Sequence, residues 1–141
     1  MPSMVKTLRL IQIVLLISMG IYVLVGELVG RHSAGAGKTT LFYGISVLSI
    51  LTIGVILVVR RTLVLHSETM LRDNSTDQVL LQRWKTGYIV TYALSEALGI
   101  FGLIVQLDGF SLSEAVTFYL PGFILMLFFR PRQPFGDLIA K

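Results

Sequence analysis

Long apolar runs alternate with short polar segments along this chain of 141 residues. The runs cover residues 10–29, 41–59, 87–107 and 112–129, and each contains at most one charged residue. Because they are 18 to 21 residues long, they fit the length of about 20 residues that a helix needs to cross a bilayer. Strands are typically about 5–6 residues long, and helices of a water-soluble core keep a polar face that these runs lack. The pattern therefore predicts an all-α fold, an integral membrane four-helix bundle that forms a single transmembrane domain over residues 1–141.

The composition agrees with burial in lipid. Hydrophobic residues make up 54% of the chain and charged residues 14%, with a mean hydropathy of +0.78, whereas soluble domains carry about 25% charged residues. These proportions exclude a disordered chain, a collagenous fibre and a nucleic-acid-binding domain, so the expected partner is the lipid bilayer. The chain has no cysteine, and its two histidines, His32 and His66, stand alone, so we expect no metal site and no cofactor.

The distribution of basic residues predicts an orientation. Ten of the twelve lysine and arginine residues lie before residue 10, within residues 60–86 or after residue 129, and the other two lie within residues 30–40. Since basic segments remain in the cytoplasm, we expect a multi-pass protein of the bacterial inner (plasma) membrane, N-in/C-in, with both termini cytoplasmic. The sequence Ala34-Gly35-Ala36 is similar to a signal-peptide cleavage site, but the apolar run before it exceeds the about 7–15 residues of a signal peptide. The first helix is therefore expected to remain as an anchor.

The segment 60–86 is the longest polar one, and we expect a cytoplasmic helical loop there, between helices two and three. Residues 60–71 are predicted to continue helix two, and Ser75 with Gln78 matches a capping box that would start a new helix at Thr76. Basic side chains of this loop are candidates for contact with anionic lipid. They are Arg60, Arg61, Arg83 and Lys85.

Two short motifs have local interpretations. Residues 35–40, Gly-Ala-Gly-Lys-Thr-Thr, resemble the end of a phosphate-binding loop, but His32 stands where the first glycine is required and no strand precedes it. We interpret this segment as a turn. Ser111 and Glu114 match a second capping box, which predicts that helix four begins at Leu112.

Glu96 is the one charged residue in the middle of an apolar run. It follows Gly87 by nine residues, which places it about 14 Å from the cytoplasmic edge of helix three. A charged side chain at this depth costs about 2.5–3.5 kcal/mol, and the other runs contain no lysine, arginine or histidine, so we expect the protonated form. Two interpretations remain open: Glu96 binds a proton or a cation, or it is a protonated side chain that hydrogen-bonds across the bundle.

Small and polar residues recur along helix three at spacings of three and four, which places them on one face suited to close helix packing. The candidate supports of Glu96 are Tyr92, Ser95 and Gln106, and the candidate helix-packing residues are Thr91, Gly99 and Gly102. Polar partners for this face are available in helices one and two, at Gln12, Ser46, Ser49 and Thr52.

Residues 93–105 read ALSEALGIFGLIV. This sequence resembles the ion-binding helix of rotary ATP synthase c subunits, whose pattern is close to A-x-x-E-A-L-x-I-Y-G-L-V-V. The resemblance implies that Glu96 corresponds to the carboxylate that binds the translocated proton. It covers 13 of the 141 residues, and the glycine-rich helix and Arg-Gln-Pro loop that precede this helix in the family are not found before it here. Over its whole length the chain is similar to small four-helix membrane proteins of bacteria, which implies a location and a fold.

Two functions follow from these features as hypotheses. The first is a non-enzymatic subunit or scaffold of the inner membrane that assembles through helix three, as a homo-oligomer or within a membrane complex. The alternative is a proton- or cation-coupled transporter that uses Glu96 as its membrane carboxylate. No nucleophile, base or metal-binding set is predicted to converge, so we expect no catalytic residues and no enzyme.

Overall fold

The computed structural model describes residues 2–30, 39–73 and 76–132. Over these ranges the chain is all-α, without strands. A π-helical segment joins α2 to α3 without interruption, so the elements form four helical rods. The elements are α1 Pro2–Gly30, α2 Thr39–Val59, the π-helical segment Arg60–Leu65, α3 His66–Asp73, α4 Gln78–Leu107 and α5 Leu112–Phe128.

Three of the four rods are long and apolar enough to cross a membrane. They span Ser3–Gly30, Thr39–Asp73 and Gln78–Leu107, with mean hydropathies of 2.3, 2.5 and 1.7 over their most apolar windows. The fourth, α5, is an apolar helix of 17 residues, at the short end of the range of about 17–25 residues for spanning helices. Large apolar side chains also face outward, such as Ile50 of α2, which is 69% exposed. The prediction of four apolar helices is therefore confirmed.

α4 is the central helix, because it contacts α1, α2, α3, α5 and the π-helical segment. Glycines permit two of these close approaches. A Cβ atom at Gly99 would lie 3.2 Å from Met19 of α1, and one at Gly102 would lie 2.8 Å from the ring of Tyr119 of α5. The face of small and polar residues on α4 is thus buried against α1 and α5 of the same chain.

Helices α1 and α4 begin earlier than the apolar runs. Residues 2–9 are helical, and Val5 and Leu8 pack in one core cluster with Trp84. α4 begins at Gln78 because the carboxylate of Asp77 accepts hydrogen bonds from the backbone N–H groups of Val79 and Leu80. Much of the predicted loop is therefore helix, joined to the bundle by apolar packing.

Asp77 replaces the predicted cap at the start of α4, and Ser75 itself lies outside the described residues. The segment 31–38 also lies outside them, so the structure does not describe the Ala34–Ala36 sequence or most of the phosphate-loop-like segment. The capping box of helix four is confirmed: the Ser111 hydroxyl accepts from the Glu114 N–H, and the Glu114 carboxylate accepts from the Ser111 N–H.

Candidate functional site

Glu96 lies on α4 at the edge of its interface with α1, where its side chain is half-buried. Two hydroxyl groups of α1 reach it. The hydroxyls of Ser18 and Tyr22 both donate to Oε1 of Glu96, each at 2.9 Å. Because Ser18 and Tyr22 are four residues apart, they project from the same face of α1. The site is therefore a carboxyl group held by two hydroxyls from the neighbouring helix.

Both hydrogen bonds reach the same oxygen atom of Glu96. In the described part of the chain, no side chain donates a hydrogen bond to the other oxygen, Oε2. No lysine, arginine or histidine occurs between residues 10 and 30, 41 and 59, or 86 and 129, so these segments provide no cation to pair with Glu96. Among the described residues, Ser18 and Tyr22 therefore hold one oxygen of the Glu96 carboxyl group, and the other oxygen has no side-chain donor.

The predicted supports of Glu96 lie elsewhere in the bundle. The hydroxyl of Tyr92 donates to the carbonyl of Phe129 at 2.9 Å, and that of Ser95 donates to the carbonyl of Thr91 at 2.8 Å. Both side chains are fully buried. The Tyr92 hydroxyl joins α4 to the end of α5, and the Ser95 hydroxyl satisfies a backbone carbonyl of α4. Neither hydroxyl hydrogen-bonds Glu96.

Sequence reasoning missed Ser18 and Tyr22 as the partners of Glu96. A signal for them exists, because they are the only hydroxyl-bearing residues of the run 10–29, and they lie near its middle. The hydroxyls proposed on helix two have other partners. Ser46, Ser49 and Thr52 each donate to a backbone carbonyl four residues earlier in α2.

Gln106 is part of a second polar group at the opposite end of α4 from the π-helical segment. The hydroxyl of Tyr119 donates to Oε1 of Gln106 at 2.9 Å, and Nε2 of Gln106 donates to Glu27 at 3.4 Å. The same Tyr119 hydroxyl lies 3.4 Å from the carbonyl oxygen of Tyr22. Tyr22 is thus shared, because its hydroxyl contacts Glu96 and its carbonyl contacts this second group.

At the other end of the bundle, aromatic residues connect the π-helical segment, α3 and α4. Trp84 donates from Nε1 to Glu68 at 3.1 Å, and the Arg60 guanidinium lies 3.7 Å above the ring of Phe129. Trp84 is fully buried, so it packs inside the bundle. Among the candidate lipid contacts, Arg61 and Arg83 are exposed, whereas Arg60 and Lys85 are half-buried.

Comparisons with known proteins add no assignment. No protein-family model, curated protein or solved structure matches the chain. A search of the described ranges for three or more histidine, cysteine, aspartate or glutamate side chains able to hold a metal ion finds no such group. The functional argument therefore depends on the geometry around Glu96.

Proposed function

We propose that the protein crosses a membrane several times with both termini in the cytoplasm, and that Glu96 binds and releases a proton or cation during transport. The observation that supports this proposal is the pair of hydroxyl groups, from Ser18 and Tyr22, that converge on one oxygen of an acid within an apolar helix. Ionisable residues at such positions are rare and are commonly functional.

The energies of the two charge states make this chemistry feasible. Placing a charged carboxylate at the middle of a bilayer costs about 2.5–3.5 kcal/mol on insertion scales. A hydrogen bond to a charged group contributes about 1.5–3 kcal/mol, so two hydroxyls offset a cost of that size. The ionised and protonated forms of Glu96 then both become accessible, which a residue that exchanges protons requires.

The orientation is supported by charge. The first nine residues, residues 60–86 and the residues after 129 carry ten of the twelve basic residues, which favours the cytoplasmic side for them. In this orientation the π-helical segment and Trp84 lie near the cytoplasmic surface, and Glu27 and Gln106 lie near the opposite surface. Glu96 falls between them.

A second candidate function is a subunit or scaffold that assembles through the outward edge of α4. The small and polar face of α4 is already packed within the chain, but Glu96 borders a face on which Ile89 and Ile100 are 37% and 40% exposed. Oε2 of Glu96, which accepts no hydrogen bond from a described residue, would then bond to a group of a neighbouring subunit. Both candidate functions depend on Glu96. A substitution of Glu96 is expected to reduce assembly if the protein is a subunit, and to reduce proton flux if it is a transporter.

The test compares Glu96→Gln with Glu114→Gln in reconstituted vesicles. Glu114 is the exposed acid of a capping box, a position where glutamine is also accepted. We expect infrared difference spectra between acidic and alkaline buffers to show one titrating membrane carboxyl, lost in Glu96→Gln and retained in the control. Proton flux, followed with a trapped pH-sensitive dye, should fall in Glu96→Gln only.

Two outcomes would overturn the transport proposal. The first is a Glu96 carboxyl band that stays unchanged between the two buffers. The second is normal flux in Glu96→Gln together with a smaller assembly in cross-linking or light-scattering measurements, which would favour the subunit.

A further inference from the structure

A cavity of about 310 Å³ lies at the end of the bundle away from the π-helical segment. Its lining includes Glu27 and Gly30 of α1, Gln106 of α4, and Ser111 at the start of α5. At roughly 30 Å³ per molecule, this volume accommodates several waters. The carboxylate, amide and hydroxyl groups provide the polar partners that such waters need.

A line of buried polar groups leads inward from this cavity. Glu27 accepts from Gln106, and Gln106 accepts from the hydroxyl of Tyr119, which lies 3.4 Å from the carbonyl of Tyr22. The hydroxyl of Tyr22 in turn donates to Glu96 at 2.9 Å. Gln106 and Tyr119 are each 2% exposed. Buried polar groups are costly unless they are satisfied by one another, so the buried pair of Gln106 and Tyr119 is a specific feature of the interior. The line has one gap, because Tyr119 contacts the carbonyl of Tyr22, whereas the hydroxyl that contacts Glu96 lies at the far end of the Tyr22 ring.

Glycines make the room that this line occupies. A Cβ atom at Gly30 would lie 2.9 Å from the carbonyl oxygen of Gln106, and one at Gly26 would overlap the Gln106 amide. At Gly102, a Cβ atom would lie 2.8 Å from the ring of Tyr119. The three glycines therefore let Gln106 and Tyr119 pack directly against the neighbouring helices.

The other side of Glu96 is closed by contrast. Toward the π-helical segment, Trp84 and Tyr92 are fully buried, and the Tyr92 hydroxyl is used by the carbonyl of Phe129. The amide of Gln12 donates to the carbonyl of Met126 at 2.6 Å. These side chains join helices by bonding to backbone carbonyls and do not lead to Glu96.

We propose that Glu96 exchanges its proton through this cavity and polar line, that is, with the side of the membrane on which Glu27 lies. The inference rests on the proposed function of Glu96. Tyr119 is the transfer group of this route, because a hydroxyl both donates and accepts, and Gln106 is a positioning residue that holds Tyr119. The route requires a water at two steps, past the Gln106 amide and past the ring of Tyr22, because the hydrogen bonds of the described residues do not join these groups directly.

Within residues 2–30, 39–73 and 76–132, the titratable groups that face this line are Tyr22 and Glu27 of α1, Asp108 at the end of α4, and Tyr119 of α5, with Glu114 exposed at the first turn of α5. α2 contributes one titratable side chain, Tyr43, which is 65% exposed. Protonation of Glu96 through the line is therefore expected to depend on Glu27 and Tyr119.

The experiment applies a rapid pH change to one side of sealed vesicles of known protein orientation. The rate at which the Glu96 carboxyl band responds is then measured by infrared spectroscopy. Tyr119→Phe retains the ring beside Gly102, so it keeps the packing. We expect the response in Tyr119→Phe to slow about 100-fold, the range typical of a lost proton-transfer group, while the final protonated fraction stays unchanged. Glu27→Gln should slow it as well, and Tyr43→Phe should not.

The possible outcomes distinguish a failure of the proposed proton route from a failure of the proposed function of Glu96. A wild-type response rate in both Tyr119→Phe and Glu27→Gln, or a response only to pH on the opposite side, would overturn the route while Glu96 still titrates. If the Glu96 band does not respond to pH from either side, the proposed function fails, and this route fails with it.

Discussion

The hydroxyls of Ser18 and Tyr22 share a single acceptor, Oε1 of Glu96, so their contributions depend on each other. A hydrogen bond of this kind contributes about 0.5–1.5 kcal/mol to stability when the acceptor is neutral. If either donor is removed, the other still satisfies the oxygen. The loss from removing both is therefore expected to differ from the sum of the two single losses.

We predict that Tyr22→Phe lowers the free energy of unfolding by about 1 kcal/mol, measured by denaturant titration in detergent micelles. Ser18→Ala is expected to have a similar effect. Ser46→Ala is the matched control, because the Ser46 hydroxyl donates to the Phe42 carbonyl within its own helix. Equal losses in Ser46→Ala and Ser18→Ala would show that the bonds to Glu96 do not stabilise the bundle.

At this scale the sequence predicts the acid but not its partners. Spacing along one helix reveals which residues share its face, and so it indicated Tyr92 and Ser95 as neighbours of Glu96. The actual donors lie on α1, which is apolar around most of its circumference. Without a polar face, the sequence does not indicate how α1 is rotated about its axis, and so it does not indicate which residues meet α4.

At the scale of elements, glycine distinguishes contacts inside the bundle from positions that face outward. Gly102 of α4 meets the ring of Tyr119, whereas Gly54 of α2 has no atom within 4 Å of the place where a Cβ would lie. Both lie in apolar helices, and the sequence alone does not separate them. The difference arises because α4 is surrounded by other helices and α2 packs mainly on one side.

We predict that Gly102→Ala destabilises the bundle by about 1–3 kcal/mol, the usual cost of overpacking, because the Tyr119 ring must move. Gly54→Ala is expected to be neutral or stabilising, since alanine has the higher helix propensity. Unfolding in micelles measures both. If Gly54→Ala is as destabilising as Gly102→Ala, another surface must cover α2, as in an oligomer.

The helix ends also differ in how far the sequence predicts them. The Ser111–Glu114 capping box was readable because both partners are local. The start of α4 ahead of its apolar run was also predicted, at Thr76, close to the observed start at Gln78. The early start of α1 was not predicted, because it depends on packing between Leu8 and Trp84, which are far apart in the sequence. Hydropathy marks the part of a helix suited to lipid, and the helices here extend beyond it.

At the scale of the whole molecule, the basic residues and the polar groups of the interior lie at opposite ends of the bundle. The basic residues concentrate on the side of the π-helical segment, while the cavity with Glu27 and Gln106 lies at the other end. The orientation of the chain therefore also decides which compartment the cavity faces. In the proposed orientation, which places the basic side in the cytoplasm, the cavity opens away from the cytoplasm.

We predict that reporter fusions at Ser75 and Lys141 both show cytoplasmic activity, and that a fusion at Gly35 shows activity outside the cytoplasm. A pair of reporters, one active only inside and one only outside, serves as the internal control at each position. The excess of basic residues beside the first two sites provides the physical reason, since these residues resist translocation. If the pattern is reversed, the cavity faces the cytoplasm, and Glu96 would then exchange protons with that compartment. Mixed activity at all three sites would mean that the chain inserts in both orientations, and a transport direction could not be defined by charge alone.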